Sequence, residues 1–558
     1  MTESFAGSLP WLLLILGYGI LTHGIIFLND GLFWDGWLVD AWQQNKDKDS
    51  MRRFYREVGM PNLYFEHWTI GRVQRRNIAY RTVSLVSLLL MAVFVFLTAV
   101  HTDLFNVQQA AVISLLFLSF PAYAVTFDGV ASLQYTFKIA FFYAGCFLAA
   151  ATLGKFDAAN ILAFVFSLVL FLVAFNANSV VVYFGGFLLF YAWLVHTRLP
   201  NGFETAEHFK LIALTVLPLA YWGAKEALAP RHGYYKEYNR IRITPFSVLQ
   251  VGARSFRYGI DVPIIKPVLE AIHTKSAILV LGGLFLGSLV FDLGWQFSAL
   301  SKLEAVQILA LGYALALLAA MPFMLVGQGA SEGGWGSKNF MLFHLPFALV
   351  VFGWLALVPQ SLGFVLLPLI LLANSFYIIR THLLYIAVSV KDKALIRWLV
   401  ANPRLGSASV IKISEAHWLE YPFENATTMY RPAYLSCMVK RIWPDRRILA
   451  ILDTWGASTG RSLTAEEIEK ALEETTIRYT FAPQVQPGPQ YLVTIAAPTA
   501  RFDADKFARA LDVAEDVNPL KQPAMVRMAI EYLYLKWFSA HRLDTFFDQR
   551  FSFSASTL

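Results

Sequence analysis

Carboxylates and aromatic rings are interleaved in the segment NDGLFWDGWLVDAW, which directly follows the first long apolar run of the chain. Asp30, Asp35 and Asp40 lie within a dozen residues of the end of that run, beside Trp34 and Trp37. A carboxylate in such a position can act as a general base toward a hydroxyl group or hold a divalent metal, and partial burial would tune its pKa. The tryptophans offer flat apolar faces on which a sugar ring can stack. The segment therefore predicts that an acceptor hydroxyl is activated beside a membrane.

The same residues have a simpler interpretation. Tryptophan is enriched at membrane interfaces as an anchor, and acidic residues at a helix end are often only solvated. A functional role is favoured for Asp30 and Asp35, because placing a carboxylate near an apolar surface costs free energy and usually reflects a function. Asp40 precedes the polar run QQNKDKD, so solvation explains it equally well.

The composition indicates where these residues must be positioned. Hydrophobic residues make up 57% of the 558-residue chain and charged residues only 15%, whereas an ordinary soluble domain carries about 25% charged residues. The excess indicates a polytopic α-helical membrane protein. The N-terminus lacks a basic region before its apolar run, which predicts a retained first helix and no cleaved signal peptide. The two cysteines, Cys146 and Cys437, suggest neither a disulfide nor a zinc site.

Runs of about twenty apolar residues, the length needed to cross a bilayer, predict about eleven transmembrane helices. They cover residues 9–28, 81–100, 108–126, 137–153, 160–175, 179–196, 209–227, 276–292, 305–326, 340–358 and 363–388.

The transmembrane domain is predicted to end at 389. Two long loops within it, 29–80 and 228–275, lie on the same side as everything after 389 if the count of eleven holds. Residues 49–59 and the stretch 246–272, the latter broken by Pro263 and Pro267, are expected to lie on the membrane surface.

The composition changes in residues 390–558, which predict a small soluble α/β domain. LTAEEIEKALEETTIRY has the pattern of an amphipathic helix, QYLVTIAAP that of a strand, and PQVQPGPQ that of the loop between them. No catalytic spacing is evident in this region.

The membrane part resembles the GT-C class of glycosyltransferases. The resemblance lies in the acid-bearing NDGLFWDGW after the first span, in GMPNLYFEHW at the end of the same loop, in the Phe120–Pro121 pair and in GWGSKN. It implies a polyprenyl-phosphate sugar donor, a glycan or lipid acceptor, and a catalytic acid in the first long loop. It also implies that the protein lies in the bacterial inner (plasma) membrane and acts on cell-envelope polysaccharide. The acids Asp30 and Asp35 form no adjacent pair, so either is the candidate base and the need for a divalent metal stays open.

A phosphate-bearing donor also needs cations near the acids. Arginine binds phosphate oxygens in pairs through its planar fork, although any single cation here can equally anchor a lipid headgroup. The long loops and the glycine-rich segment GQGASEGGWGSKN supply the candidate substrate-binding cations Arg72, Arg76, Arg81, Arg231, Arg240 and Lys338.

Glu66 and His67, in YFEHW, are candidate partners of the acids, since histidine can shuttle a proton near neutral pH. Each is otherwise a polar group satisfied within the fold. The positive charge of the chain points to lipid headgroups or phosphate as partners. Nucleic acid is not expected, because no nucleic-acid-binding module accompanies the charge.

Two rival hypotheses use the same residues. A transporter or flippase of lipid-linked saccharides would bind without reacting, but the related halves typical of transporters are not evident in the sequence. A membrane scaffold would leave NDGLFWDGW without a role. The positive-inside rule places the long, basic loops in the cytoplasm, whereas a polyprenyl-phosphate-dependent transferase would have them outside. The orientation of this face is therefore left open by the sequence.

Overall fold

The structure is a computed structural model that describes residues 2–121, 129–198, 205–232, 236, 240–241, 243–273, 300–328, 335–415, 432–453, 459–473, 485–496 and 521–558. These residues are mostly helical, with one small mixed β-sheet. They divide into two compact units. The first comprises Met1–Ile26, Tyr80–Arg231 and Tyr235–Ile379, and the second comprises Phe27–Ala79, His232–Tyr234 and Arg380–Leu558.

Six helices in the described part of the chain are long and apolar enough to cross a membrane, which is compatible with a membrane protein. They are Gly7–Leu28, Arg76–His101, Asn178–Arg198, Glu207–Leu228, Lys302–Val326 and Gln360–Ala401. They match the predicted spans 9–28, 81–100, 179–196, 209–227, 305–326 and 363–388.

Four further predicted spans form shorter apolar helices of 13 to 17 residues, namely Val107–Ser119, Thr136–Ala151, Ala158–Ala174 and His344–Leu357. They replace the predicted spans 108–126, 137–153, 160–175 and 340–358 and fall short of the roughly 20 residues that cross a bilayer. The predicted span 276–292 lies outside the described residues. The described residues therefore contain six candidate spanning helices, fewer than the eleven predicted for the chain.

The Val107–Ser119 helix shows why an apolar run can overstate a helix. Its start is set by a capping box, in which Asn106 and Gln109 bond each other's backbone N–H groups. Its end falls before Pro121, because the residue before a proline disfavours helical backbone angles. Phe120 accordingly leaves the helical region, with φ −58° and ψ 118°.

The first unit is held together by close helix packing and by one buried ionic network. A Cβ on Gly312 would lie 3.0 Å from the backbone nitrogen of Val350, so the helices that carry them approach closely there. Glu207 is fully buried and accepts hydrogen bonds from Tyr191 at 2.9 Å and from Lys210 at 2.8 Å. A buried carboxylate is tolerated because its oxygens are paired in this way.

The remaining helices of the first unit include Gly129–Gln134, Pro245–Phe256 and Val262–His273, with a five-residue π-helix, Arg257–Asp261, between the last two. The prediction that prolines break the stretch 246–272 was wrong. Pro263 lies in the first turn of its helix, where a missing N–H costs nothing, and Pro267 is accommodated inside it.

The second unit contains helices from the first long loop and from the C-terminal region. Their bounds are Asp35–Gln44, Lys48–Glu57, Pro61–Gly71, Pro432–Ile442, Ala465–Glu473, Lys521–Phe538 and Leu543–Arg550, together with the part of Gln360–Ala401 that follows Arg380. The helix predicted at 49–59 is present, but its apolar side is not free for lipid. Phe54 packs on Trp42 with ring centroids 5.2 Å apart, and Tyr55 stacks on His67.

The sheet has four strands in the order β2-β1-β3-β4. They are β1 Val410–Glu415, β2 Leu449–Leu452, β3 Gln490–Ala496 and β4 Ser552–Thr557. β1 pairs in parallel with β2 and β3, and β4 runs antiparallel to β3. The strand predicted from QYLVTIAAP is therefore confirmed as β3. The predicted helix in LTAEEIEKALEETTIRY is confirmed at Ala465–Glu473, and its last residues lie outside the described part.

Candidate functional site

The backbone between the two predicted bases is strained at one position. Trp34 has φ 41° and ψ −123°, a region that a side chain with a Cβ rarely occupies. Its ring is 1% exposed and packs against Tyr385, with centroids 5.8 Å apart, and against Phe33 at 6.0 Å. Such strain persists only where the surrounding packing enforces it, and it concentrates at functional sites. Here it redirects the chain so that a helix begins at Asp35.

Asp35 is the first residue of the Asp35–Gln44 helix and is partly exposed, whereas Trp34, Gly36 and Trp37 around it are buried. The hydroxyl of Tyr434 donates a hydrogen bond to Asp35 Oδ1 at 3.0 Å. The positive end of the helix dipole favours a carboxylate at this position. Asp35 is thus hydrogen-bonded by Tyr434 and still partly exposed to solvent.

Asp30 has a different environment, because two lysines converge on it. Lys393 Nζ donates to Oδ1, and Lys536 Nζ donates to Oδ2 at 2.9 Å. Lys393 also donates to the hydroxyl of Tyr532 at 2.7 Å, and that hydroxyl lies 3.5 Å from Asp30 Oδ2. The three charged side chains remain 28 to 33% exposed. The cluster carries two positive charges against one negative charge and is open to solvent.

The lysines determine the protonation of Asp30. Burial would raise its pKa, but the charges and hydrogen bonds of Lys393 and Lys536 outweigh that effect and lower the pKa to about 2. Burial, with Asp30 next to it, raises the pKa of Tyr532 above its ordinary value. Asp30 is therefore ionised at neutral pH and is a weak base, whereas the two ammonium groups can bind a phosphate.

Asp40 also forms ion pairs, with two arginines. Arg76 donates to Asp40 Oδ1 at 2.6 Å, and Arg441 lies 3.7 Å from the other carboxylate oxygen. The Asp40 side chain is only 6% exposed. The guanidinium of Arg76, predicted to bind substrate, is thus engaged with a carboxylate of its own unit.

The other predicted substrate-binding residues from the first long loop have the following surroundings in the second unit. Trp34 and Trp37 are 1% and 5% exposed, so in this structure their rings pack in the interior and are closed to a sugar. His67 is 1% exposed, and its ring stacks on that of Tyr55 with centroids 5.2 Å apart. Glu66 accepts a hydrogen bond from Asn62 at 3.0 Å.

The remaining predicted cations are placed as follows. Arg72 is exposed, with its guanidinium 6.0 Å from the ring centroid of Trp68 in the second unit. Arg81, Arg231, Arg240 and Lys338 belong to the first unit. Arg81 is 3% exposed, Arg231 is half-buried and Arg240 is exposed. Lys338 Nζ lies 5.9 Å from the ring centroid of a tyrosine, Tyr135.

Sequence reasoning missed the partners of both acids. Lys393 lies in the run VKDK, which directly follows the last apolar stretch. Charges at the end of a span were the sequence feature that could have pointed to this lysine. Tyr434, Tyr532 and Lys536 lie in the C-terminal region, where no local pattern marks them. Among the described residues, no group of three or more His, Cys, Asp and Glu side chains is arranged to hold a metal ion.

Comparison of the chain with protein-family models, with curated proteins and with solved structures found no match.

Proposed function

We propose that this protein is a membrane glycosyltransferase of GT-C type, which moves a sugar from a polyprenyl-phosphate donor to a hydroxyl of a glycan or lipid acceptor. One observation supports the proposal above the others. Two carboxylates five residues apart, Asp30 and Asp35, follow the first candidate span, and their environments suit them to different tasks. Asp35 is partly exposed and accepts a hydrogen bond from Tyr434, whereas Asp30 orients two lysines.

In this mechanism Asp35 accepts the proton of the acceptor hydroxyl as the hydroxyl oxygen attacks the anomeric carbon. The bond between that carbon and the donor phosphate oxygen breaks, and the lipid phosphate leaves with the bonding electrons. The configuration at the anomeric carbon is inverted. Lys393 and Lys536 stabilise the negative charge that develops on the leaving phosphate.

The position of the acids suits a lipid-borne donor. Asp30 follows Leu28, the last residue of the Gly7–Leu28 span, by two residues, and consecutive Cα atoms are about 3.8 Å apart. The Cα of Asp30 therefore lies within about 8 Å of the end of an apolar helix, and the two lysines bond its carboxylate. A phosphate attached to a lipid would be held at the same level.

The proposal is tested with the purified chain in proteoliposomes, a panel of polyprenyl-phosphate sugars and candidate acceptors. The assay measures both glycosylated product and released lipid phosphate. Asp35→Asn should reduce the transfer rate by about 10² to 10⁴-fold, the usual contribution of a general base. Asp49→Asn is the matched control, since Asp49 is an exposed acid of the same loop.

Transfer at the wild-type rate by Asp35→Asn would remove Asp35 as the base. Movement of the lipid-linked sugar across the bilayer without release of lipid phosphate would overturn the proposal and favour a transporter.

A further inference from the structure

The helix Lys521–Phe538 has large apolar side chains on two opposite sides. Met525, Met528 and Ala529 lie on one side and are buried in the second unit. Ile530 and Tyr534, one helical turn apart, lie on the other side and are 53% and 59% exposed.

Trp537 and Phe538 continue the exposed side and are 64% and 76% exposed. We call Ile530, Tyr534, Trp537 and Phe538 the outer face of this helix. Four large exposed apolar or aromatic side chains along one side of a helix usually mark a surface that contacts a partner or lipid.

One residue of this helix bonds the chain segment that follows the first candidate span. Lys536 Nζ donates to Asp30 Oδ2 at 2.9 Å, and Asp30 comes two residues after Leu28, where that span ends. The residues next to Lys536 are Trp537 and Phe538, the two most exposed members of the outer face. The exposed end of the outer face is therefore next to a lysine that bonds the segment directly after an apolar span.

The chemistry of the outer face suits a membrane surface. Tyrosine and tryptophan prefer the membrane–water interface, where an apolar ring and a polar tip are both accommodated. Arg527 lies on the same side of the helix and is exposed, and His541 and Arg542 in the following turn are exposed as well. Basic side chains beside an apolar face are attracted to anionic headgroups.

We propose that the outer face is embedded in the boundary between lipid headgroups and acyl chains, so that this helix anchors the C-terminal region to the membrane surface. The occupant of the face is a lipid surface. The inference is independent of the proposed sugar transfer.

The test uses the full-length protein in lipid nanodiscs, with Cys146→Ala and Cys437→Ala removing the two native thiols. Phe538→Cys and Tyr534→Cys each carry an environment-sensitive fluorophore. Gln549→Cys is the control, since Gln549 is exposed on the neighbouring Leu543–Arg550 helix.

Labels at 538 and 534 should emit at shorter wavelength than the label at 549. Lipids brominated on the upper acyl chain should quench them at least about twofold more strongly, as expected for an interfacial helix. Equal emission and equal quenching at all three positions would overturn the proposal. A blue shift without quenching, growing with the ratio of protein to lipid, would also overturn it, because a second copy of the chain would then cover the face.

Discussion

Removal of the Asp30 carboxylate tests whether its ion pairs with Lys393 and Lys536 stabilise the fold. The pKa of Asp30 falls from 3.8 to about 2, and each unit of pKa corresponds to about 1.4 kcal/mol. The full shift would be about 2.5 kcal/mol. Because the side chain is 33% exposed, solvent screening reduces the expected contribution to about 1 to 2 kcal/mol.

The sign of the pH dependence follows from the direction of the shift. The folded protein binds the Asp30 proton less tightly than the unfolded chain does, so the ion pair stabilises the fold above about pH 4. The contribution is lost as the pH falls from about 4 through about 2. The Asp30→Asn variant has no carboxylate to protonate, so its stability should fall less than that of the wild type over this pH range.

The assay is thermal unfolding of the purified protein in detergent, first at pH 7 and then between pH 5 and pH 3. Asp30→Asn should lower the unfolding midpoint at pH 7 by about 2 to 8 °C, since 1 kcal/mol shifts it by about 2 to 4 °C in a unit of this size. Adding Lys536→Met to Asp30→Asn should cost less than Lys536→Met alone, because the two lysines would otherwise repel each other.

Asp49→Asn is again the control and should change the free energy of unfolding by less than about 0.5 kcal/mol. The reasoning would be refuted if Asp30→Asn unfolded at the same temperature as Asp49→Asn. It would also be refuted if the effects of Asp30→Asn and Lys536→Met simply added.

Three further substitutions test other parts of the structure. The buried ammonium of Lys412 lies 2.7 Å from the Asp453 carboxylate, so Lys412→Met leaves that carboxylate without its cation. Hydrogen exchange in β1 and β2 should then report a free energy of unfolding lower by about 3 to 5 kcal/mol. Glu207→Gln breaks the buried pair of the first unit and should lower the thermal midpoint of the whole protein, whereas an unchanged midpoint would mean that the pair adds nothing. Gly31→Ala places a Cβ 2.5 Å from the Cβ of Ser389, so the loop between Asp30 and Asp35 must move. The rate of sugar transfer should fall, whereas the helix content measured by circular dichroism should change little.

The parts of the fold that the sequence predicts are those set by local pattern. Long apolar runs locate six candidate spanning helices, and alternation of residue types locates β3. Apolar content alone does not say where a helix ends. A proline ends the Val107–Ser119 helix early, and the last predicted span, 363–388, extends in the structure over Gln360–Ala401 because its polar continuation is also helical.

The candidate site divides in the same way. Asp30 and Asp35 stand out in the sequence because acids beside an apolar run are unusual. Their partners do not, since Lys393 and Lys536 are 363 and 506 residues away from Asp30 along the chain. No local spacing records such a pairing.

The tryptophans show a second limit of sequence reasoning. An aromatic residue at the end of a span has the same sequence pattern whether it anchors in lipid, stacks on a sugar or packs inside the protein. The burial of Trp34 follows from its contact with Tyr385, a tertiary contact that only the fold reveals.

The central claim is that Asp35 is the base of a sugar-transfer reaction, and a single-turnover experiment tests it most directly. Wild-type protein and Asp35→Asn are loaded with radiolabelled polyprenyl-phosphate sugar and mixed with excess acceptor, and the release of lipid phosphate is followed in time. The account predicts equal donor binding by the two proteins and release slowed by about 10² to 10⁴-fold in Asp35→Asn. Release at the same rate from both proteins would contradict it.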